Sequence, residues 1–267
     1  MTNIKKSDVK SMNSPIPYFG GKSRMAQTII DRIPKHKTYA EVFGGAAWIL
    51  FRKPPSQVET LNDLDRHLMN FYRVTKYHLD ALVKEVATLQ PGRDVFYMLR
   101  EELERPTLTD IQRAAAYYYI QKQAFAARPH MSSYVTGPSR SPGFKSATAR
   151  RILPQAAERL QGVVLENLPW ERFLKLYDST DTFFFVDPPY IGHNAYRHNL
   201  KRNDFAALTS ALSNIKGRFL LTHTDSPEIR AIFADFRFEQ VELSYTANRL
   251  TRDQKRMVGK EVLISNY

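Results

Sequence analysis

Asp187-Pro188-Pro189-Tyr190 combines the groups needed for chemistry on a flat base that bears an amino group. Asp187 supplies a carboxylate. The Pro188 carbonyl is an acceptor with no competing amide on its own residue or the next, because neither Pro188 nor Pro189 has one. Tyr190 adds an aromatic face. Two acceptors match the two hydrogens of an exocyclic amine, and the ring offers a surface for stacking. The chain has no cysteine, which excludes thiolate attack on a pyrimidine ring, disulfides and thiolate metal sites.

Three further clusters carry ligand-binding character. Tyr18-Phe19-Gly20-Gly21-Lys22 opens a helix. Glycines let the backbone approach a ligand, a helix amino end favours an anion, and Lys22 can meet a carboxylate or phosphate. Taken alone, this turn reads better as a plain loop. Phe43-Gly44-Gly45-Ala46-Ala47 follows one strand, and Asn62-Asp63-Leu64-Asp65 ends the next. Strand, small-residue turn, helix, strand and acid form a nucleoside-binding order in which the acid bonds ribose hydroxyls. Asp63 is assigned that role, and Asp65 is read as a helix cap. With no G-x-G-x-x-G present, a dinucleotide cofactor is disfavoured.

Positioning these groups requires a parallel sheet. Thr182 to Val186 is aromatic and β-branched without polar alternation, as in a strand buried on both faces, and the prolines end it. Strands are also expected at Thr38 to Phe43, Val58 to Leu61, Val163 to Asn167 and Arg218 to Thr222. Phe238 to Tyr245 is expected to pair antiparallel with Glu261 to Ser265. Helices are expected after Ser23 as cap, through Trp48 to Phe51, and as one long helix through Leu68, Phe71, Leu79 and Leu82. Two more are expected between 94 and 126 with Asp94 and Thr109 as caps, then others from near Pro154, over Trp170 to Tyr177, Asp204 to Ile215, and Pro227 to Phe233.

Charge points to a polyanionic partner. Lys and Arg number 39 against 27 Asp and Glu, a net +12, although solubility alone would also use such an excess. No acid occurs from Ile111 to Ala157, a stretch holding Arg113, Lys122, Arg128, Arg140, Lys145, Arg150 and Arg151. Its portion from Arg128 to Ala149 is rich in Ser, Pro and Gly and reads as a long loop, with Tyr134 and Phe144 placed to wedge or stack against bases. A solvated surface loop is the competing reading. His193, Arg197, His198, Lys201 and Arg202 form a second basic cluster beside Tyr190. No apolar run reaches the roughly 18 residues of a membrane span, and the amino end lacks an apolar signal core, so a cytoplasmic protein is expected.

Taken in order, Tyr18-Phe19-Gly20-Gly21-Lys22, Glu41-Val42-Phe43-Gly44-Gly45, Asn62-Asp63-Leu64-Asp65 and Asp187-Pro188-Pro189-Tyr190 resemble the Dam-like (D12 class) DNA adenine methyltransferases over nearly the whole chain. The resemblance implies an α/β sheet of about seven strands that binds S-adenosylmethionine and carries a mainly helical target-recognition insertion. The catalytic domain would comprise 1-92 and 158-267, and the insertion 93-157. Catalysis falls to Asp187, Pro188, Pro189 and Tyr190. Cofactor contacts fall to Tyr18, Gly20, Gly21, Lys22, Glu41, Phe43, Gly44, Gly45, Asp63, Asn167 and Asp187. DNA contacts fall to Arg128, Arg140, Lys145, Arg150, Arg197 and Lys201. The implied partner is double-stranded DNA in a prokaryotic or phage setting, with no metal and no membrane. Two departures stand out: the first glycine motif lacks the usual F-x-G-x-G form, and Pro169 replaces an acid common in relatives. Cytosine 4-amino methylation, a catalytically silent DNA-binding relative, and the glutamine or RNA methylation of NPPY enzymes are the competing functions.

Overall fold

The computed structural model describes residues 12–124, 133–135, 141, 143–192, 196–244 and 258–267. Seven strands form one sheet: β1 (Thr38–Glu41), β2 (Val58–Asn62), β3 (Val163–Glu166), β4 (Thr182–Val186), β5 (Arg218–Thr224), β6 (Arg237–Ser244) and β7 (Val258–Ser265). Their order is β3-β2-β1-β4-β5-β7-β6. The first five are parallel, and β7 runs antiparallel to both β5 and β6. The expected sheet and its antiparallel edge are therefore present. All five residues of β4 are buried, as a strand covered on both faces requires. Strand order reverses between β1 and β4, so their carboxyl ends lie side by side and open a crevice there.

The helices are α1 (Ala26–Ile30), α2 (Trp48–Arg52), α3 (Arg66–Tyr77), α4 (Leu79–Thr88), α5 (Arg93–Glu102), α6 (Asp110–Gln123), α7 (Ser146–Leu160), α8 (Trp170–Tyr177), α9 (Arg202–Ser213) and α10 (Pro227–Ile232). One sheet face is covered by α8, α9 and α10 through Phe173, Phe205, Leu208 and Ile229. Against the other lies a larger core that runs from Tyr39, Phe51 and Phe71 into Tyr117, Tyr118 and Phe144. The segment between β2 and β3, α3 to α7, is thus continuous with the sheet's own core.

Several expectations need correction. The long helix after Asp65 is two helices, because His78 leaves helical geometry (φ −134°, ψ 40°) and lets Leu82 and Val86 of α4 turn inward. Ser23 and Asp94 do not cap: α1 and α5 start after Met25 and Gly92 without a side-chain cap. Thr109 does, in a reciprocal box with Gln112. The helix expected near Pro154 begins at Ser146. Ala149, Leu153, Ala156 and Leu160 form one buried stripe at helical spacing, and Pro154 sits on the exposed side, where it forfeits only its own hydrogen bond.

Tyr134 and Phe144 are not free to stack on bases. Phe144 is 1% exposed and packs on Tyr119, with ring centroids 4.8 Å apart, and Tyr134 packs on Phe96. Buried Gln123 ties both in place. Its Oε1 accepts from the Gly143 and Phe144 amides (2.8 and 3.1 Å), and its Nε2 donates to the Tyr134 hydroxyl. The basic stretch is anchored at these points, while Arg128 and Arg140 lie outside the described residues.

A buried ion cluster joins α7 to the sheet. Arg159 donates to both Glu59 oxygens (2.6 and 2.9 Å) and to the Leu50 carbonyl, and Lys53 reaches Glu59 Oε1 at 2.5 Å. Burial raises the Glu59 carboxyl, but hydrogen bonds from Arg159 and the neighbouring charges outweigh it and leave the group below its usual value.

Candidate active site

A cavity of about 470 Å³ opens at the carboxyl ends of β1, β2 and β4. It is lined by Tyr18, Phe19, Gly20, Gly21 and Lys22, by Glu41, Phe43, Gly44 and Gly45, by Asn62, Asp63 and Leu64, by Leu168 to Glu171, and by Asp187 and Pro189. Tyr196 to Leu200 close the remaining side. Four separated motifs are thus brought together. The glycine turns are packed too tightly for larger residues. A Cβ on Gly44 would stand 2.7 Å from Leu61 Cδ1 and 2.9 Å from the Asn62 carbonyl. Gly20 has φ +70°, and a Cβ there would run into the Tyr196 hydroxyl.

Asp63 bridges two turns. Its Oδ2 accepts from the Gly45 amide (2.9 Å) and its Oδ1 from the Asp65 amide (2.8 Å), leaving lone pairs for a ligand hydroxyl. Burial pushes its pKa up to about 6 against those stabilising amides. Asp65 caps α3 by accepting from the His67 amide at 2.9 Å, as read from sequence. Asn62 bonds the Val42 carbonyl and both backbone groups of Leu168, which fastens β1, β2 and the turn after β3 to one another. Asn167 stands apart from the cavity lining and donates to the Asp63 carbonyl (2.7 Å).

Glu41 is 2% exposed yet lines the cavity. Its Oε2 accepts from the Tyr39 hydroxyl (2.7 Å) and the Leu50 amide (3.2 Å). Burial, with a smaller contribution from Asp187, pushes its pKa up to about 8. The lining mixes the acids Asp63, Glu171 and Asp204 with Glu41, which burial keeps largely protonated at neutral pH, with the paired Asp187 and Lys22, and with Arg197.

Asp187 leaves the end of β4 into the hands of two donors. Lys22 Nζ lies 2.7 and 2.8 Å from its two oxygens, and Thr222 Oγ1 donates to Oδ1 at 2.6 Å. Lys22 also donates to the Gly20 carbonyl (2.9 Å), which locks the first turn to the fourth strand. The carboxylate expected for Lys22 is therefore supplied by the protein itself. Pro188 is buried, and Pro189 borders the cavity. Tyr190 is not part of the cavity lining: its ring stacks on His223 at 4.4 Å, Lys22 Nζ lies 4.8 Å from its centroid, and its hydroxyl donates to Glu261 at 2.6 Å.

The basic residues divide. Arg197 pairs with Glu104 of the segment after α5, so it straps the loop after β4 to the chain between β2 and β3. Lys201 and Arg202 begin α9, and Arg202 pairs with Glu228. Lys145 and Arg150 are exposed. Tyr196, Thr222, His223 and Glu261 were not singled out from the sequence. Their only signal there is polar side chains in or beside strands that end near the crevice. Among the described residues, no His, Cys, Asp or Glu cluster suits a metal ion, and no helix is long and apolar enough to cross a membrane.

This strand order, with a glycine turn after β1, an acid after β2 and Asp-Pro-Pro-Tyr after β4, defines a methyltransferase of the α/β type. Comparison with known proteins narrows the class. A family model for D12 class N6 adenine-specific DNA methyltransferases matches residues 18–247, and the chain belongs to that family. The Type II methyltransferase M.MjaIII of Methanocaldococcus jannaschii is 22% identical over 130 residues, which cover 41% of this chain and 45% of that protein. The DNA adenine methylase of Serratia marcescens is 26% identical over 121 residues, 44% of each chain. The chain thus spans less than half the length of either curated relative.

Proposed function

We propose that this protein transfers a methyl group from S-adenosylmethionine to the 6-amino group of an adenine turned out of double-stranded DNA. The observation that supports the reading is Asp187 in the lining of the cavity, held by Lys22 at the start of the Asp-Pro-Pro-Tyr segment. The cavity's size suits a nucleoside-sized ligand. Its acids suit the ligand's ammonium and sulfonium charges, with Asp63 at the ribose and the Tyr18 to Lys22 and Phe43 to Gly45 turns around the rest. Bound there, the cofactor supplies an electrophilic methyl group.

The exocyclic amine of adenine is a poor nucleophile because its lone pair is delocalised into the ring. Asp187 and the Pro188 carbonyl accept its two N–H bonds, draw the nitrogen toward tetrahedral geometry and aim the lone pair into the cavity. A duplex hides this amine, so the base is extruded, and Tyr190 offers it the ring face that His223 leaves uncovered. Residues 93-157 act as the target-recognition region. Arg128, Arg140, Lys145 and Arg150 meet DNA there, joined by Lys201 and by Arg197 once it exchanges Glu104 for phosphate.

Nucleoside mass spectrometry of duplex DNA incubated with the protein and S-adenosylmethionine tests the reading. N6-methyladenine is expected. Methylcytosine alone, or unmodified DNA, refutes it.

A further inference from the structure

β5 braces the Asp187-Pro188-Pro189-Tyr190 segment at both of its ends. Adjacent residues on a strand point to opposite faces, and here Thr222 takes the Asp187 carboxylate while His223 takes the far end. His223 is 3% exposed. Its ring lies 4.4 Å from that of Tyr190 at an interplanar angle of 23°, and Phe205 of α9 meets it edge-on. Its Nε2 lies 3.1 Å from the Ile191 amide and its Nδ1 3.1 Å from the Thr224 carbonyl. An amide can only donate and a carbonyl only accept, so the ring is the neutral tautomer protonated on Nδ1. The neighbouring strand completes the arrangement: Glu261, paired in register with Thr224, accepts from the Tyr190 hydroxyl.

Tyr190 is thereby fixed in plane by His223, in rotation by Glu261, and in backbone path by the Ile191 amide. A stacking wall has value only if its plane is set before the base arrives, since each ångström of misplacement of a reacting group lowers the rate steeply. We propose that His223 is a positioning residue for methyl transfer: it holds the Tyr190 ring and the Ile191 amide in the arrangement that receives the extruded base. The inference rests on the adenine-methylation reading above.

Three variants separate the components. His223→Phe keeps a ring and removes the acceptor. His223→Gln keeps an acceptor within reach of the Ile191 amide and removes the ring. His223→Leu removes both. The readouts are kcat and KM on duplex DNA, S-adenosylmethionine affinity by titration, thermal midpoint, and fluorescence of 2-aminopurine placed at the methylated position after that position is mapped by sequencing. For His223→Leu, kcat should fall by about 10- to 100-fold with cofactor affinity and DNA KM within about twofold of wild type, and the 2-aminopurine signal should drop. Phe and Gln should each restore part of kcat. Wild-type kcat and fluorescence in a folded His223→Leu protein overturn the proposal, as does a loss of kcat matched by equal loss of cofactor affinity. If His223→Leu does not fold, wild-type kcat in both of the other variants overturns it. Wild-type protein that makes no N6-methyladenine removes the adenine reading and this proposal together, whereas an active wild type with indifferent variants removes this proposal alone.

Discussion

Asp187 is already ion-paired and hydrogen-bonded before any base arrives, so its charge and direction are set in advance. Asp187→Asn would keep one acceptor oxygen but lose the charge that Lys22 holds and replace the second acceptor by a donor, and kcat should fall by about 10²- to 10³-fold while duplex DNA still binds in a mobility-shift titration. Asp63 is expected to serve as an ionised acceptor, so S-adenosylmethionine affinity should weaken as pH falls through about 6. Asp63→Ala should bind the cofactor more weakly at every pH and lose that pH dependence in calorimetry. Stability runs the other way. Folded Glu41 and Asp63 hold protons more tightly than their usual values of 4.5 and 3.8 allow. Their contribution is full below those values and is lost as pH rises through about 6 for Asp63 and about 8 for Glu41. Glu41→Gln mimics the protonated acid, so its melting temperature should fall less than wild type between about pH 5 and pH 9. Asp187, Lys22 and Asp63 were legible because each stands in a short motif whose turn chemistry is local. His223 and Glu261 were not, because their partner Tyr190 lies on another strand and pairing register alone brings them to it.

Elements were read well where burial imposes a pattern and poorly where a few anchors override one. β4 announces itself by composition, and α8 fills the span expected of it, Trp170–Tyr177. The Ser, Pro and Gly between Arg128 and Ala149 disguised two core aromatics and the first turn of α7, because sequence alone does not show Gln123 reaching back to both. Phe144→Ala should therefore act on stability rather than on base stacking. It should cost about 3–5 kcal/mol in denaturant unfolding, the usual loss for a buried phenylalanine. A variant with wild-type stability and weakened DNA binding would restore the wedge role. Pro154 misled for the opposite reason, since a proline read as a helix start lies inside a longer helix that the buried stripe beneath it carries back to Ser146.

At the scale of the molecule, a chain of net +12 surrounds a cavity whose lining holds acids such as Asp63, Glu171 and Asp204 beside Lys22 and Arg197. A net positive charge of this size favours the approach of a polyanion. If exposed Lys145 and Arg150 meet phosphate, changing either to Ala should weaken cognate and scrambled duplexes about equally and reduce the salt slope by about one, measured by binding across a salt series. A base-reading arginine would instead cost roughly 1–3 kcal/mol and relax a single position of the site. The sheet order has a consequence for how the molecule is made. Thr38 of β1 pairs with Thr182 of β4, a partner more than half the chain away, while its other neighbour β2 follows almost at once. On the ribosome β1 therefore waits with one edge of backbone N–H and C=O groups unpaired until β4 has emerged. Closure of that central pair, the step that first brings the glycine turn and Asp187 together, is a late and slow event that exposes the nascent chain to aggregation.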